Sequence, residues 1–334
     1  MLAQAALRAY GLDDARLEPI RLINNAVFSV RPRKGEARLV LRIHRPDYRT
    51  FDQVRSELEF LKYMGEQLDG SHVEAPRPVA TADGELVVRL PVAATRPDAT
   101  RCCDLLTFVD GQVLRHGSGL GQRSVRLLGE GLARVHDAAD AFSPPAGFDL
   151  PRWDADTMFS ETSSFRPGPM EEFLAAPALA LFGEVAERTR TIFEELDAAP
   201  GQRGIVHHDY ILINCLFTRK THGWTLGILD FDDIGLGYFL YDLAPMLGNL
   251  FDYLGAYRTL RRAFLDGYRR VRELPNGHEA HLPVLMAARH ATTLTWLAAK
   301  QRRGETDIPI DRQVEIRISE MARCLEHHSH RLRW

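Results

Sequence analysis

The sequence predicts an α+β chain of two lobes, a small antiparallel sheet with one helix over residues 1–108 and a mainly helical remainder over residues 109–334. Three observations predict it. Strand-like apolar runs at residues 26–30 and 37–43, parted by the turn-forming RPRKGE, read as a hairpin. Behind them, DYRTFDQVRSELEFLKYMGEQL places Val54, Leu58, Leu61 and Met64 at a spacing of three and four, which is one face of a helix over residues 47–68. Beyond Asp110-Gly111 the texture turns helical almost to the end.

Taken in order, residues 2–10 form a short amphipathic helix, followed by the hairpin and the helix just described. A turn at Asp83-Gly84 precedes a strand from Leu86, and DLLTFVDG is a further strand that stops at Asp110-Gly111. Helices are expected in SVRLLGEGLARVHDAADAF, in MEEFLAAPALALFGEVAERTRTIFEELDAA, over residues 241–271 and in HLPVLMAARHATTLTWLAAKQRR. Short apolar strands near residues 205–206 and 225–229 interrupt them. No internal repeat is present.

Bulk composition excludes several classes of function. The 334 residues are 45% hydrophobic and 26% charged, enough for one large domain or two lobes around a shared site. A formal net charge of -3 offers no general positive field for nucleic acid. Cys102, Cys103, Cys215 and Cys324 lack the C-x₂-C spacing of a zinc site and read as reduced thiols of a cytoplasmic protein. The opening residues lack a basic-then-apolar leader, and no apolar run reaches membrane-spanning length, so neither export nor membrane insertion is expected. The tail histidines His327, His328 and His330 read as a polar helix end rather than a metal site.

The informative stretch is GIVHHDYILINCLFTRKTHGWTLGILDFDDIGLGYFLYDLA. His207, Asp209 and Asn214 make H-x-D-x-x-x-x-N, and a strand later Asp230-Phe231-Asp232 ends an apolar run. Phosphoryl transfer needs these residue types. Charge on the transferred group must be balanced by a metal held on oxygen, the place for Asn214 and Asp230. A separate carboxylate must orient the acceptor hydroxyl and take its proton, the place for Asp209, while His207 fixes the loop by hydrogen bonding. A His-x-Asp pair alone is an ordinary loop feature. The ordered set of strand, HxDxxxxN, strand, DFD, Gly237 and Tyr241-Asp242-Leu243 is not.

That set resembles the catalytic and metal loops of the aminoglycoside phosphotransferase and choline kinase superfamily, closest in texture to its homoserine-kinase-like and stress-response-kinase-like members. Their usual pattern is HGDLHxxN, then I-D-F/W-D/E, a glycine and D-L-A. The resemblance implies a protein-kinase-like bilobal fold, ATP and Mg²⁺ as cofactors, Asp209 as base, Asn214 and Asp230 as metal ligands, and Asp242 as a supporting carboxylate. Two departures stand out: His208 replaces the usual glycine, and Ile211 a common second histidine. The imidazole of His208 has three options: clash, acceptor contact or an outward orientation.

The same resemblance implies a cation on the strand after the hairpin, where ARLVLRIHRP offers Arg42 in place of lysine. Its carboxylate partner lies on the next helix, where Glu57 is preferred over Glu59 for its position four residues before Leu61. Asn25, in the glycine-poor INNAVFSV, belongs to the phosphate-facing loop, and adenine is expected on the backbone near Phe108 and Val109. Only a short stretch separates Asp230 from Asp242, too little for a peptide-docking segment, which favours a small hydroxylated acceptor. Amino alcohols, hydroxy amino acids, sugars and aminoglycosides fit. Arg289, His290, Thr293 and Trp296 are its possible lining. A Ser/Thr protein kinase and a nucleotide-binding pseudokinase are the alternatives.

Overall fold

A five-stranded antiparallel sheet organises the first of two compact units, which comprises Met1–Val113, Ala141–Leu150 and Cys215–Asp232. The computed structural model describes residues 2–331 except 23, 34–36, 94–95, 162, 222 and 306–307. Part of the RPRKGE turn and the side chains of His327, His328 and His330 fall outside the described set. The elements of this unit are α1 (Leu2–Ala9), β1 (Arg16–Leu22), β2 (Ala26–Arg31), β3 (Leu39–Ile43), α2 (Phe51–Gln67), β4 (Val73–Glu74), β5 (Val87–Ala93) and β6 (Arg96–Thr107). The sheet runs β1-β2-β3-β6-β5. Alternating residues Val30, Leu41, Cys103 and Leu105 meet Ala6 and Leu7 of α1 in one buried cluster.

The hairpin and α2 take the places that the apolar patterns predict, with two differences. No strand is expected before residue 26, yet β1 is there. It is an edge strand, largely exposed, with Pro19 at a register shift, so its apolar alternation is faint. Helix α2 begins at Phe51 rather than Asp47, because Thr50 and Gln53 form a reciprocal capping box while Asp47 sits at a φ of 58°. Val54, Leu58, Leu61 and Met64 are all buried along its inner face.

The second unit comprises Leu114–Asp140, Pro151–Asn214 and Asp233–Trp334. It opens with β7 (Arg115–His116), β8 (Gly119–Leu120), α3 (Gln122–Ala141), α4 (Ala155–Phe159), α5 (Ala176–Asp197) and β9 (Arg203–Val206). The chain then returns to the first unit for a hairpin of β10 (Cys215–Lys220) and β11 (Gly223–Ile228), because β11 pairs in parallel with β4 through Leu226 and Val73. A contiguous partition at 108/109 therefore differs from the compact units, the first of which also takes in residues 109–113, 141–150 and this hairpin. The remainder is β12 (Gly235–Tyr238), α6 (Phe239–Asp242), α7 (Ala244–Phe251), α8 (Tyr257–Arg269), α9 (Leu282–Arg302) and α10 (Ile310–Arg331).

Two long helical runs of the sequence are broken. Residues 170–172 form a separate 3₁₀ turn, and α5 restarts at Ala176 with Pro177 in its first turn, where a missing N–H costs nothing. Residues 239–269 divide into α6, α7 and α8. Helix α9 is buried on most of its circumference, as a central helix of a bundle must be. Helices α3 and α8 touch backbone to backbone: a Cβ at Gly129 would lie 2.0 Å from the Phe264 carbonyl oxygen. Among the described residues no helix is long and apolar enough to cross a membrane.

Candidate active site

Within the second unit, the loop after β9 hangs from one buried carboxylate. Asp242, fully buried at the end of α6, accepts the backbone N–H of His207 at 2.8 Å and of His208 at 2.7 Å. His136 of α3 adds its Nε2 at 3.0 Å, and its Nδ1 lies 2.8 Å from the Tyr268 hydroxyl. Burial opposes the charge on Asp242, but His136 and these donors hold its carboxyl below the usual carboxylate range. Burial keeps His136 less basic than a free imidazole. The loop is thereby fixed at its backbone, and the Leu212 N–H adds a bond of 2.9 Å to Asn249 of α7.

Position 208 explains its own oddity. Its φ is 65°, the left-handed region where glycine is favoured. The histidine there turns inward, neither clashing nor facing solvent. Buried, its ring lies 3.8 Å from that of Trp153 at 11° and 5.4 Å from that of Tyr241 at 25°. Trp153 in turn donates Nε1–H to the Asp233 carbonyl at 2.7 Å. Gly237 follows from close packing, since a Cβ there would meet Val206 Cγ2 at 2.9 Å.

Asp209 stands at the mouth of this loop, with its side chain 19% exposed. The Asn214 amide donates Nδ2–H to the Asp209 carbonyl oxygen and to its Oδ2, each at 3.0 Å. Those two bonds orient the amide and leave Oδ1 of Asn214 as a hard oxygen donor. Arg289 of α9 donates Nη2–H to Asp209 Oδ1. Burial, with repulsion from Asp233, raises the Asp209 carboxyl above its usual range in spite of Arg289. His207 contributes its backbone, accepting from the Asp209 N–H at 2.8 Å, while its ring packs edge-on against Tyr210.

Within the first unit, the structure brings Arg42 and Glu57 together at 2.7 Å, and Glu59 pairs loosely with Arg55 instead. Arg42 has further partners that the sequence reading does not name. The β3–β6 register sets Asp104 opposite Arg42, and its carboxylate accepts from Nε at 2.9 and 3.2 Å. Asp232 accepts from Nη1 at 3.1 Å, and His44 lies 2.5 Å from Asp104. Burial works against Arg42, yet Asp104, Glu57 and Asp232 hold it firmly protonated. Burial, with repulsion from Asp232, pushes Glu57 up to about 7. The Arg42 Nη2 is buried with no hydrogen-bond partner.

Asn25 is also tied down: its amide donates to Asp232, and its Oδ1 accepts from the Arg45 N–H at 3.0 Å. Phe108 donates its N–H to the Arg38 carbonyl at 3.2 Å and carries the Arg38 guanidinium 3.6 Å above its ring, and Val109 is buried. Asp230 has a φ of 64°, is 36% exposed and lies 3.6 Å from Arg21. Hairpin register pairs Cys215 with Ile228, so Asn214 directly precedes one strand and Asp230 follows the other by two residues. Among the described residues no group of three His, Cys, Asp or Glu side chains could hold a metal. An amide oxygen and a carboxylate nevertheless fit Mg²⁺, which takes one or two protein oxygens and completes its shell with water and phosphate.

Comparison with known proteins bears on the family and the fold. The description "Phosphotransferase enzyme family" matches residues 16–274. An uncharacterized protein of Deinococcus radiodurans is 32% identical over 294 residues, covering 86% of this chain and 78% of that protein. A homoserine kinase of Rhizobium johnstonii is 28% identical over 238 residues, covering 69% of this chain and 65% of that protein. Among solved structures, a microcompartment-associated aminopropanol kinase superposes with a TM-score of 0.76 at 28% identity, covering 99% of this chain and 97% of that one. The α+β, protein-kinase-like fold expected from the sequence is thus the fold observed.

Proposed function

Because the chain belongs to the phosphotransferase enzyme family, we propose that it transfers the γ-phosphoryl group of ATP to a hydroxyl of a small molecule, with Asp209 as base and Asn214 and Asp230 as ligands of Mg²⁺. The acceptor is an amino alcohol or a hydroxy amino acid, and the reaction takes place in the cytoplasm. The relatives that carry an activity, homoserine kinase and aminopropanol kinase, support that acceptor class. Four cysteines outside any disulfide among the described residues support the compartment.

The observation that carries the reading is the fixed position of Asp209: Asn214 orients its carboxylate and Asp242 holds its loop. In the reaction the acceptor oxygen bonds to the γ-phosphorus, the bond from phosphorus to the β–γ bridging oxygen breaks, the hydroxyl proton passes to Asp209 Oδ1 or Oδ2, and ADP departs. Mg²⁺ supplies charge neutralisation on the phosphates. His207 positions the loop through its backbone. Arg42 supplies Nη2 to phosphate, the nitrogen that its partners among the described residues leave over, with Glu57 keeping the guanidinium in place. Asn25 braces the loop above phosphate, and the backbone near Phe108 and Val109 takes adenine.

Phosphate transfer from ATP in Mg²⁺ buffer tests the proposal by comparing the native chain with Asp209→Asn. The variant should bind ATP normally and lose roughly 10²- to 10⁴-fold in kcat, the usual contribution of a positioned base. Equal turnover by the two proteins would remove Asp209 from the reaction.

A further inference from the structure

The surroundings of Asp209 in the second unit carry more positive charge than a base alone requires. Arg289 and Asp209 are each about one-fifth exposed, so a solute can reach the pair. A guanidinium presents five N–H donors in a planar fork. Asp209 takes one of them, through Nη2, and Tyr241 and Asp233 also act on the guanidinium. Next along α9, His290 lies 3.3 Å from Nη1 of Arg317 on α10. Burial and the neighbouring Arg317, Arg289 and Arg323 push His290 down to about 3, so it brings no charge. Among the described residues Arg317 otherwise bonds the neutral amide of Gln313, and its Nε is buried without a partner there. Arg323 holds Glu320 and Asp252 in ion pairs; both carboxylates also act on Arg317 at longer range, but among the described residues Arg317 has no ion pair of its own.

We infer that the acceptor carries a carboxylate, which Arg289 reads with Arg317 behind it, and that Arg289 passes from Asp209 to this carboxylate when the acceptor binds. The inference rests on the proposed phosphotransfer at Asp209. In the resting protein the guanidinium lowers the proton affinity of the carboxylate that must accept a proton. An acceptor that brings its own carboxylate competes for the fork, which matches carboxylate geometry with two parallel bonds, and frees Asp209 to meet the hydroxyl. An amino alcohol brings only a cation to this place and leaves the Arg289–Asp209 pair closed. The structure therefore selects small hydroxy amino acids over amino alcohols. Arg289 is a specificity-determining residue in this reading.

Three matched pairs isolate the carboxylate: L-serine with ethanolamine, L-threonine with 1-aminopropan-2-ol, and L-homoserine with 3-aminopropan-1-ol. Each partner lacks only that group. Calorimetric binding to the full chain, with Mg²⁺ and a non-hydrolysable ATP analogue, reads recognition without transfer. At least one acid should bind about 10- to 100-fold tighter than its partner, the usual worth of a charge-assisted bond. That ratio should fall towards unity in Arg289→Leu and be partly kept in Arg289→Lys. Equal or tighter binding of the amino alcohol in every pair, failure of all three acids to bind, or an unchanged ratio in Arg289→Leu would overturn the inference. The native ratio decides the matter even if a variant does not fold. Selective binding of an acid that is never phosphorylated would instead overturn the proposed function and leave the carboxylate reading standing.

Discussion

Replacing Asp242 by asparagine changes the charge beneath the catalytic loop and almost nothing in volume. The carboxylate accepts three bonds, from His207 N–H, His208 N–H and His136 Nε2. An amide offers one oxygen and one NH₂ group, so in either orientation a buried N–H faces another donor. Losing one charge-assisted bond costs about 1.5–3 kcal/mol, and the stranded donor adds about 1–3 kcal/mol. Avoiding the burial of a charge returns part of this, which leaves about 3 kcal/mol. For a cooperative unit of roughly 150–250 residues that is a fall of about 6–12 °C in melting temperature. The loop suffers separately, because His208 holds a left-handed conformation that costs about 1–2 kcal/mol and that Asp242 enforces. Once it relaxes, Asp209 shifts, and a displacement near 1 Å is worth about 10²-fold in kcat/KM. Scanning calorimetry and steady-state kinetics measure both quantities. A melting temperature within about 1 °C of native, together with unaltered kcat/KM, would refute the claim that Asp242 carries the loop.

Three further outcomes follow from the same geometry. His208→Ala keeps the left-handed backbone and loses the stack with Trp153, whereas His208→Gly loses only the stack, so the glycine variant should be the more stable by about 1 kcal/mol in denaturant unfolding. Arg42→Met strands Glu57 and Asp104 as buried carboxylates; a loss of about 3–5 kcal/mol is expected, along with weaker thermal stabilisation by ATP. The two units should also respond to pH with opposite sign. His136 is less basic folded than unfolded, so the unfolded chain binds the extra proton below 6.5 and acid weakens the second unit. Glu57 titrates from 4.5 unfolded to about 7 folded, so the folded state holds the extra proton in that window and the first unit weakens as pH rises through it. His44, raised above 6.5 by its bond to Asp104 against the opposing effect of burial, continues the trend upward. Hydrogen exchange corrected for intrinsic rate should show α2 losing protection and α3 gaining it between about pH 5 and 7; a common direction would contradict the assignment.

How much of this was legible in the sequence depended on distance along the chain. Asp209 and Asn214 lie five residues apart in one loop, so their spacing marked both as site candidates, while the 3.0 Å bond between them came only with the fold. Arg42 and Glu57 were nameable because the family resemblance implies a cation on that strand and a carboxylate on the helix that follows it. Asp104 was not, because it faces Arg42 only through the β3–β6 register, 62 positions away, and a lone aspartate in a strand gives no warning of that. His136 read as one more helical residue until Asp242 lay against it. Arg289 was visible as possible acceptor lining, but its contact with Asp209 spans 80 positions and needed α9 in place. Among the elements, β1 escaped because an exposed edge strand has little reason to alternate, and β10 because only Cys215 and Phe217 point inward along it. Nothing in the sequence around Gly129 signals that α3 and α8 meet there.

The two-residue pairing of β4 with β11 also bears on how the protein is made. Val73 and Glu74 leave the ribosome long before Leu226 and Gly227, their partners. At about 5–20 residues per second, the roughly 150 intervening residues take on the order of 10–30 s to synthesise. Throughout that interval the backbone edge at residues 73–74 stays unpaired, although the sheet beside it has every strand it needs. A nascent chain stalled before residue 223 should therefore display an open strand edge that chaperones or a second nascent chain can engage, and elongation past residue 228 should close it.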